Sequence, residues 1–121
     1  MSKGTDLRPQ GGEGLTDEQR AVAAEALARA AGRLASDDPG GLIYSLDLAA
    51  LVGAMVYEVG LQSGVRGVGR GILRVALETV GDVPNGATRA EFAVPVAQAA
   101  RAFGYDWSKT DNRHLAEAVA G

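Results

Sequence analysis

The sequence predicts an all-α fold, a compact bundle of about five helices. Apolar residues recur with the 3.6-residue helical period, and two of the periodic segments begin with a helix-capping sequence. The alternation typical of strands is not seen, and the one Asn-Gly dipeptide, Asn85-Gly86, is followed by a helix start. A chain of 121 residues fits one domain. We expect a disordered, glycine-rich tail over residues 1–14 and a single helical domain over residues 15–121.

The first helix is predicted to start at Thr16. Thr16 and Gln19 have the spacing of a capping box, and acidic residues follow the threonine, which suits the positive end of the helix dipole. One face is narrow and rich in alanine, so this helix should pack closely against a neighbour; its members are Ala23, Leu27, Ala30 and Leu34. A run of helix breakers over residues 36–41 ends it.

The second helix, predicted from about Ser45 to Gln62, is the most apolar. One apolar face contains Leu48, Leu51, Val52, Met55 and Val59. The opposite face is apolar too, and we take it as a candidate protein interface: Ala50, Gly53, Ala54, Tyr57 and Leu61. A helix that is apolar all round is central in its fold or lies at an interface. Because the other helices look too short or too alanine-rich to cover both faces, we expect a symmetric homodimer. The alternative is a monomer in which the third and fourth helices cover this helix.

The third segment has two interpretations. A glycine-rich linker could run to Gly71, or a helix could begin near Val65; we favour the helix, because apolar residues from Val65 to Ala76 keep helical phase. In a helix, Arg66, Arg70 and Arg74 form a basic stripe that could bind phosphate, nucleic acid or an acidic partner. A solvated face, with Arg74 and Glu78 as an ion pair, is the preferred interpretation.

The fourth helix is predicted to start at Thr88, which forms a second capping box with Glu91. Pro95 lies inside this helix, where we expect a kink, and Gly104 suits its end. A last helix should run from Ser108 or Thr110 to Ala120.

The loops before the second and fourth helices resemble each other. Residues 37–41 read Asp-Asp-Pro-Gly-Gly, and residues 82–86 read Asp-Val-Pro-Asn-Gly. Shared turn chemistry explains this similarity without further assumptions, and an old duplication of a helix pair is the alternative.

Composition excludes several classes of site. The chain has no cysteine and one histidine, which excludes disulfides, thiolate zinc sites and histidine-rich metal sites. Asp106, Ser108, Thr110 and Glu117 fit the first, third, fifth and twelfth positions of a calcium loop, but the required glycine is missing. We therefore expect no metal and no cofactor. We also expect no catalytic residue, because His114 has no evident nucleophile and Asp47 and Glu58, eleven residues apart, would lie about 16 Å apart on a helix. The longest uncharged run in the most apolar region, residues 48–57, is too short for a membrane span, so we expect a cytoplasmic protein with no membrane partner.

These observations favour a small, non-catalytic helical interaction module that binds protein and self-associates. Its arginine-rich, lysine-poor composition is typical of GC-rich bacterial or phage genomes. The alternative function is a DNA-binding regulator, because residues 96–115 resemble a helix-turn-helix. Its candidate DNA contacts are Arg101, Lys109, Asn112 and Arg113.

Overall fold

The computed structural model describes residues 14–65 and 70–120, and these fold into five α-helices packed together. The helices are α1 (Asp17–Ser36), α2 (Ser45–Ser63), α3 (Arg70–Val80), α4 (Arg89–Ala102) and α5 (Arg113–Ala120), with a 3₁₀ turn over Trp107–Lys109. The predicted all-α bundle is confirmed. The predicted tail lies outside the described residues, apart from Gly14.

Both predicted capping boxes are present. Thr16 accepts a hydrogen bond from the backbone N–H of Gln19 at 3.0 Å, and the Gln19 side chain accepts one from the Thr16 N–H at 3.0 Å. Thr88 and Glu91 make the same reciprocal pair at 3.1 and 3.0 Å. Each box satisfies two backbone donors that the first turn of a helix leaves unpaired, so α1 and α4 begin where the sequence places them.

The central helix of the bundle is α1. It contacts α2, α3 and α4, and its contact with α4 is the most extensive of any helix pair. Alanines on both helices are fully buried, among them Ala26, Ala30, Ala97 and Ala100. Small side chains let the two backbones approach closely, which explains why an alanine-rich helix can occupy the centre. The sequence predicts α2 either at the centre of the fold or at an interface. In the structure, α1 and not α2 lies at the centre.

The connection between α2 and α3 is described at its start, Gly64 and Val65, and again from Arg70. Gly64 adopts the left-handed conformation (φ 69°) and its N–H bonds to the Gly60 carbonyl at 3.0 Å, which ends α2. Val65 is not helical, and α3 as described runs over Arg70–Val80; the rest of the predicted helix start near Val65 falls on residues 66–69, which lie outside the described residues. The glycine cap therefore turns the chain out of the helical phase of α2 before Val65.

Two local hydrogen-bonded motifs fix the segment after α4. Gly104 (φ 105°) and Tyr105 donate backbone hydrogen bonds to Arg101 and Ala100, which forms a Schellman end to α4. The Asp106 carboxylate then accepts hydrogen bonds from the Ser108 N–H and hydroxyl, at 3.0 and 2.6 Å, and this starts the 3₁₀ turn. The last helix therefore begins at Arg113, later than the predicted Ser108 or Thr110.

The two similar loops lie side by side and pair. The Ile43 N–H donates to the Ala87 carbonyl at 3.0 Å, and the Arg89 N–H donates to the Gly41 carbonyl at 2.8 Å. These two bonds form an antiparallel bridge centred on Leu42 and Thr88. The loop of the pair α1–α2 is thus bonded to the loop of the pair α3–α4. This arrangement is compatible both with shared turn chemistry and with an old duplication of a helix pair.

Candidate functional site

The strongly exposed large apolar side chains of the described residues are confined to one region. All of them belong to α2 or to the loop before it: Leu42, Tyr44, Leu46, Tyr57 and Leu61. The most exposed is Leu46, whose relative exposure is 85%. Single exposed apolar residues are ordinary on a protein surface, whereas these five lie together on one helix and the loop that leads into it.

Five residues of this region form a continuous line along the outside of α2, here called the apolar stripe: Leu46, Ala50, Ala54, Tyr57 and Leu61. All five are exposed. Their spacings of four, four, three and four place them within about 80° of the helix circumference, over a length of about 22 Å. Two small residues lie in the middle of the stripe, between larger side chains at both ends.

The opposite face of α2 anchors the helix in the core. Leu48, Val52, Met55, Val56 and Val59 are all buried. This contact fixes the rotation of α2 about its own axis. The apolar stripe therefore faces away from the bundle. The structure therefore covers one of the two apolar faces recognised in the sequence and leaves the other exposed.

Gly53 does not belong fully to the exposed face. It is half-buried, and a Cβ atom at this position would lie 3.5 Å from a methyl carbon of Leu73 in α3. Gly53, one of the predicted interface residues, therefore lies at the edge of the stripe and partly against α3. Leu46 joins the surface in its stead; it lies one helical turn before Ala50, and that spacing was the signal available in the sequence.

Two carboxylates border the stripe on one side. Asp47 accepts a hydrogen bond from the backbone N–H of Tyr44 at 3.1 Å and so caps the start of α2. Glu58 lies 3.6 Å from the guanidinium of Arg29, which joins α2 to α1. Arg29 also bonds to Glu25 at 3.0 Å. Both acidic residues thus have structural partners within the chain.

By length and composition alone, α2 could cross a membrane. It has 19 residues and a mean hydropathy of 1.2 over its most apolar window. One third of that window is buried within the bundle. The core helix of a folded domain passes the same test, so this property does not separate a membrane-bound helix from a packed one.

The basic stripe is only partly described. Arg66 and the side chain of Arg70 lie outside the described part of the chain. Arg74 is exposed and lies 3.4 Å from Glu78, one turn later on α3. The predicted Arg74–Glu78 ion pair is therefore present, and one cation of the three is paired within its own helix.

The segment compared with a helix-turn-helix has a different geometry. The connection between α4 and α5 spans residues 103–112, whereas the DNA-binding motif has a turn of about three or four residues. The Asn112 side chain accepts a hydrogen bond from the Leu115 N–H at 3.2 Å, so it caps α5. Arg101 donates to the Val119 carbonyl at 3.3 Å. Lys109, 3.8 Å from Asp106, and Arg113 are exposed.

The residues of the calcium-like frame are spread over different elements. Asp106 caps the 3₁₀ turn through Ser108, and these hydrogen bonds lower the pKa of the Asp106 carboxyl. Glu117 lies on α5. Among the described residues, no group of three or more acidic or histidine side chains is arranged to hold a metal ion.

Comparisons with protein-family models, with curated proteins and with solved structures find no match to this chain.

Proposed function

We propose that this chain is a non-catalytic protein-interaction module and that it self-associates through the apolar stripe of α2. The observation that supports the proposal is the confinement of the strongly exposed large apolar side chains to α2 and its preceding loop. Exposed apolar area of this kind gains free energy when a second surface excludes water from it.

The middle of the stripe suits a helix–helix contact. Ala50 and Ala54 present methyl groups where two helices would cross, and small residues allow the backbones to come close. Leu46 and Leu61, 85% and 67% exposed, then supply apolar area at the two ends. A second copy of the chain brings the same surface, and two-fold homodimers are the commonest soluble oligomers.

Sedimentation velocity from micromolar to hundreds of micromolar tests the proposal. We expect the wild-type protein to shift from monomer to dimer with concentration. Leu61→Glu places a charge on the stripe and should remain monomeric. Gln62→Glu is the matched control, because it adds the same charge to the neighbouring exposed residue, outside the stripe, and should still dimerise.

Circular dichroism of both variants shows whether the helices are intact. A wild-type protein that stays monomeric at every concentration would overturn the proposal. If that monomer instead sediments with phospholipid vesicles, the stripe binds a membrane surface and the proposal is equally wrong. Equal dimerisation of Leu61→Glu and Gln62→Glu would place the interface elsewhere on the molecule.

A further inference from the structure

The Asn85-Gly86 dipeptide forms the tip of the loop between α3 and α4. Both residues are exposed, and Gly86 adopts the left-handed conformation (φ 86°). A backbone hydrogen bond from the Ala87 N–H to the Pro84 carbonyl, at 3.2 Å, closes the turn. Apart from its two chain neighbours, no described atom lies within 4 Å of the place that a Cβ atom of Gly86 would take. The approach to the Gly86 nitrogen is therefore open.

Two groups at this tip can react with each other, and neither is engaged elsewhere. The backbone N–H of Gly86 and the side-chain amide of Asn85 make no hydrogen bond to any residue in the described ranges 14–65 and 70–120. Water solvates both groups, because both residues are exposed. Neither group therefore has to give up a bond within the protein before the two meet.

We propose that Asn85 is a site of spontaneous deamidation, a modification independent of the proposed self-association. The Gly86 nitrogen loses its proton, attacks the Cγ atom of Asn85 and closes a five-membered succinimide ring. The amide nitrogen of Asn85 takes up a proton and leaves as ammonia. Water then adds to one of the two ring carbonyl carbons and breaks its bond to the Gly86 nitrogen. Attack at Cγ leaves an aspartate, whereas attack at the main-chain carbonyl carbon leaves an isoaspartate.

The other asparagine of the chain, Asn112, is held at both of the corresponding groups. Its side-chain oxygen accepts a hydrogen bond from the Leu115 N–H at 3.2 Å. The N–H of the next residue, Arg113, donates to the Asp111 carbonyl at 3.0 Å. Arg113 also has a side chain, which hinders the approach that a glycine permits. The fold therefore protects one asparagine and leaves the other open to attack.

An isoaspartate would alter the connection between the two paired loops. Its main chain runs through the former side chain, which inserts one extra carbon atom between Pro84 and Ala87. The turn cannot keep its present geometry with that atom added. The Ala87 carbonyl accepts the hydrogen bond from the Ile43 N–H at 3.0 Å, and Thr88 at the centre of the bridge comes next in the chain. Displacement of Ala87 therefore weakens the bridge beside the start of α4.

The aspartate product leaves the main chain unchanged and adds only a charge. Asp82 and Glu91 line the same shallow cavity as Asn85, so the new carboxylate lies near two others. Solvent and salt screen the repulsion between exposed charges. We therefore expect the aspartate form to be almost as stable as the unmodified protein and the isoaspartate form to be the less stable product.

Peptide mapping by mass spectrometry tests the proposal on the full-length protein, incubated in warm, mildly alkaline buffer with and without urea. In the folded protein, we expect Asn85 to deamidate at least several-fold faster than Asn112 and at a rate close to its own rate in urea. The rate at Asn85 should rise with pH, because the Gly86 nitrogen must lose its proton. Asn85→Gln is the matched control: it keeps an amide, but its attack requires a six-membered ring, so it should stay unmodified.

Deamidation of Asn85 in urea but not in the folded protein would show that the turn protects it and would overturn the proposal. Equal rates at Asn85 and Asn112 in the folded protein, or no reaction at Asn85 in either condition, would overturn it as well. Chromatography separates the two products, and thermal unfolding compares them. We expect the isoaspartate form to melt at a lower temperature than the aspartate form; equal melting temperatures would contradict the weakened bridge.

Discussion

The indole Nε1 of Trp107 donates a hydrogen bond to the carbonyl oxygen of Ala97 at 3.0 Å, and both residues are buried. Trp107 also packs against Tyr105, with ring centroids 4.7 Å apart in an edge-to-face arrangement. These contacts fold the segment after α4 back onto the helix that it has just left. They give the single tryptophan of the chain a structural role at the far end of the sequence from α1.

We predict that Trp107→Phe lowers the free energy of unfolding by about 1 kcal/mol, because it removes this hydrogen bond and keeps most of the apolar ring. Trp107→Ala should cost about 3–5 kcal/mol, because it also leaves a cavity. Urea unfolding followed by circular dichroism measures both values. Equal stabilities for the wild type and the alanine variant would show that this segment does not contribute to the cooperative fold.

Close packing of α1 against the bundle makes its alanines intolerant of larger side chains. Ala30 is fully buried, and we predict that Ala30→Leu lowers the free energy of unfolding by about 1–3 kcal/mol through overpacking. Ala21→Leu is the matched control on the exposed side of the same helix, where the change should stay within about 0.5 kcal/mol. Thermal and urea unfolding compare the two variants, and equal losses would contradict the central position of α1.

The second capping box, Thr88 with Glu91, should make the free energy of unfolding depend measurably on pH. Hydrogen bonds from the backbone and side chain of Thr88 lower the pKa of the Glu91 carboxyl below its ordinary value. The folded state therefore binds this proton less readily than the unfolded chain does. The stabilisation is present at neutral pH and is lost as the pH falls from the ordinary glutamate pKa through the lowered one.

Glu91→Gln isolates this effect, because glutamine can keep the reciprocal hydrogen bond without the charge. We expect the wild type to be slightly more stable than the variant at pH 7 and the difference to disappear in acid. Urea unfolding in steps from pH 7 to pH 3 measures the difference. A gap that widens in acid would show that the carboxylate is not stabilised by the cap.

Substitutions at Asn112 test whether its side chain stabilises α5 or contacts DNA bases. Its side chain caps α5 through the Leu115 N–H, so Asn112→Ala should lower the free energy of unfolding by about 0.5–2 kcal/mol. Asn112→Asp keeps the acceptor oxygen and should retain most of that stability. An alanine variant with unchanged stability and a lost sequence-specific DNA complex would support the regulator instead.

Helix starts could be predicted from the sequence because they depend on side chains three residues apart. Thr16 with Gln19 and Thr88 with Glu91 determine two of them locally. The start of α5 was misplaced, because the hydrogen bonds that Ser108 donates to the Asp106 carboxylate favour a 3₁₀ turn that helical periodicity does not reveal. The central position of α1 was also missed, since periodicity gives weight to large side chains and alanines contribute through close approach.

The exposed surface was predicted in part. That α2 has two apolar faces is evident from its sequence, and the scarcity of large residues elsewhere suggested that one would stay uncovered. Which edge of that face lies against α3 depends on tertiary packing, and so Gly53 was included although it lies beside Leu73. Leu46 extends that face by one helical turn before Ala50, and its exposure likewise depends on which side of α2 meets the bundle.

The bridge between the loops has a consequence for tolerance to mutation. Its hydrogen bonds join main-chain atoms only, so they are indifferent to the side chain of Leu42, which is half exposed at the centre of the bridge. Gly41 is different, because a Cβ atom there would meet the carboxylate of Asp38, an exposed side chain that would have to turn away, and would lie 3.3 Å from the Asp38 carbonyl oxygen. A saturation library across this loop should therefore accept most amino acids at position 42, whereas each substitution at position 41 requires Asp38 to change its side-chain conformation, so that adjacent residues would drift at different rates.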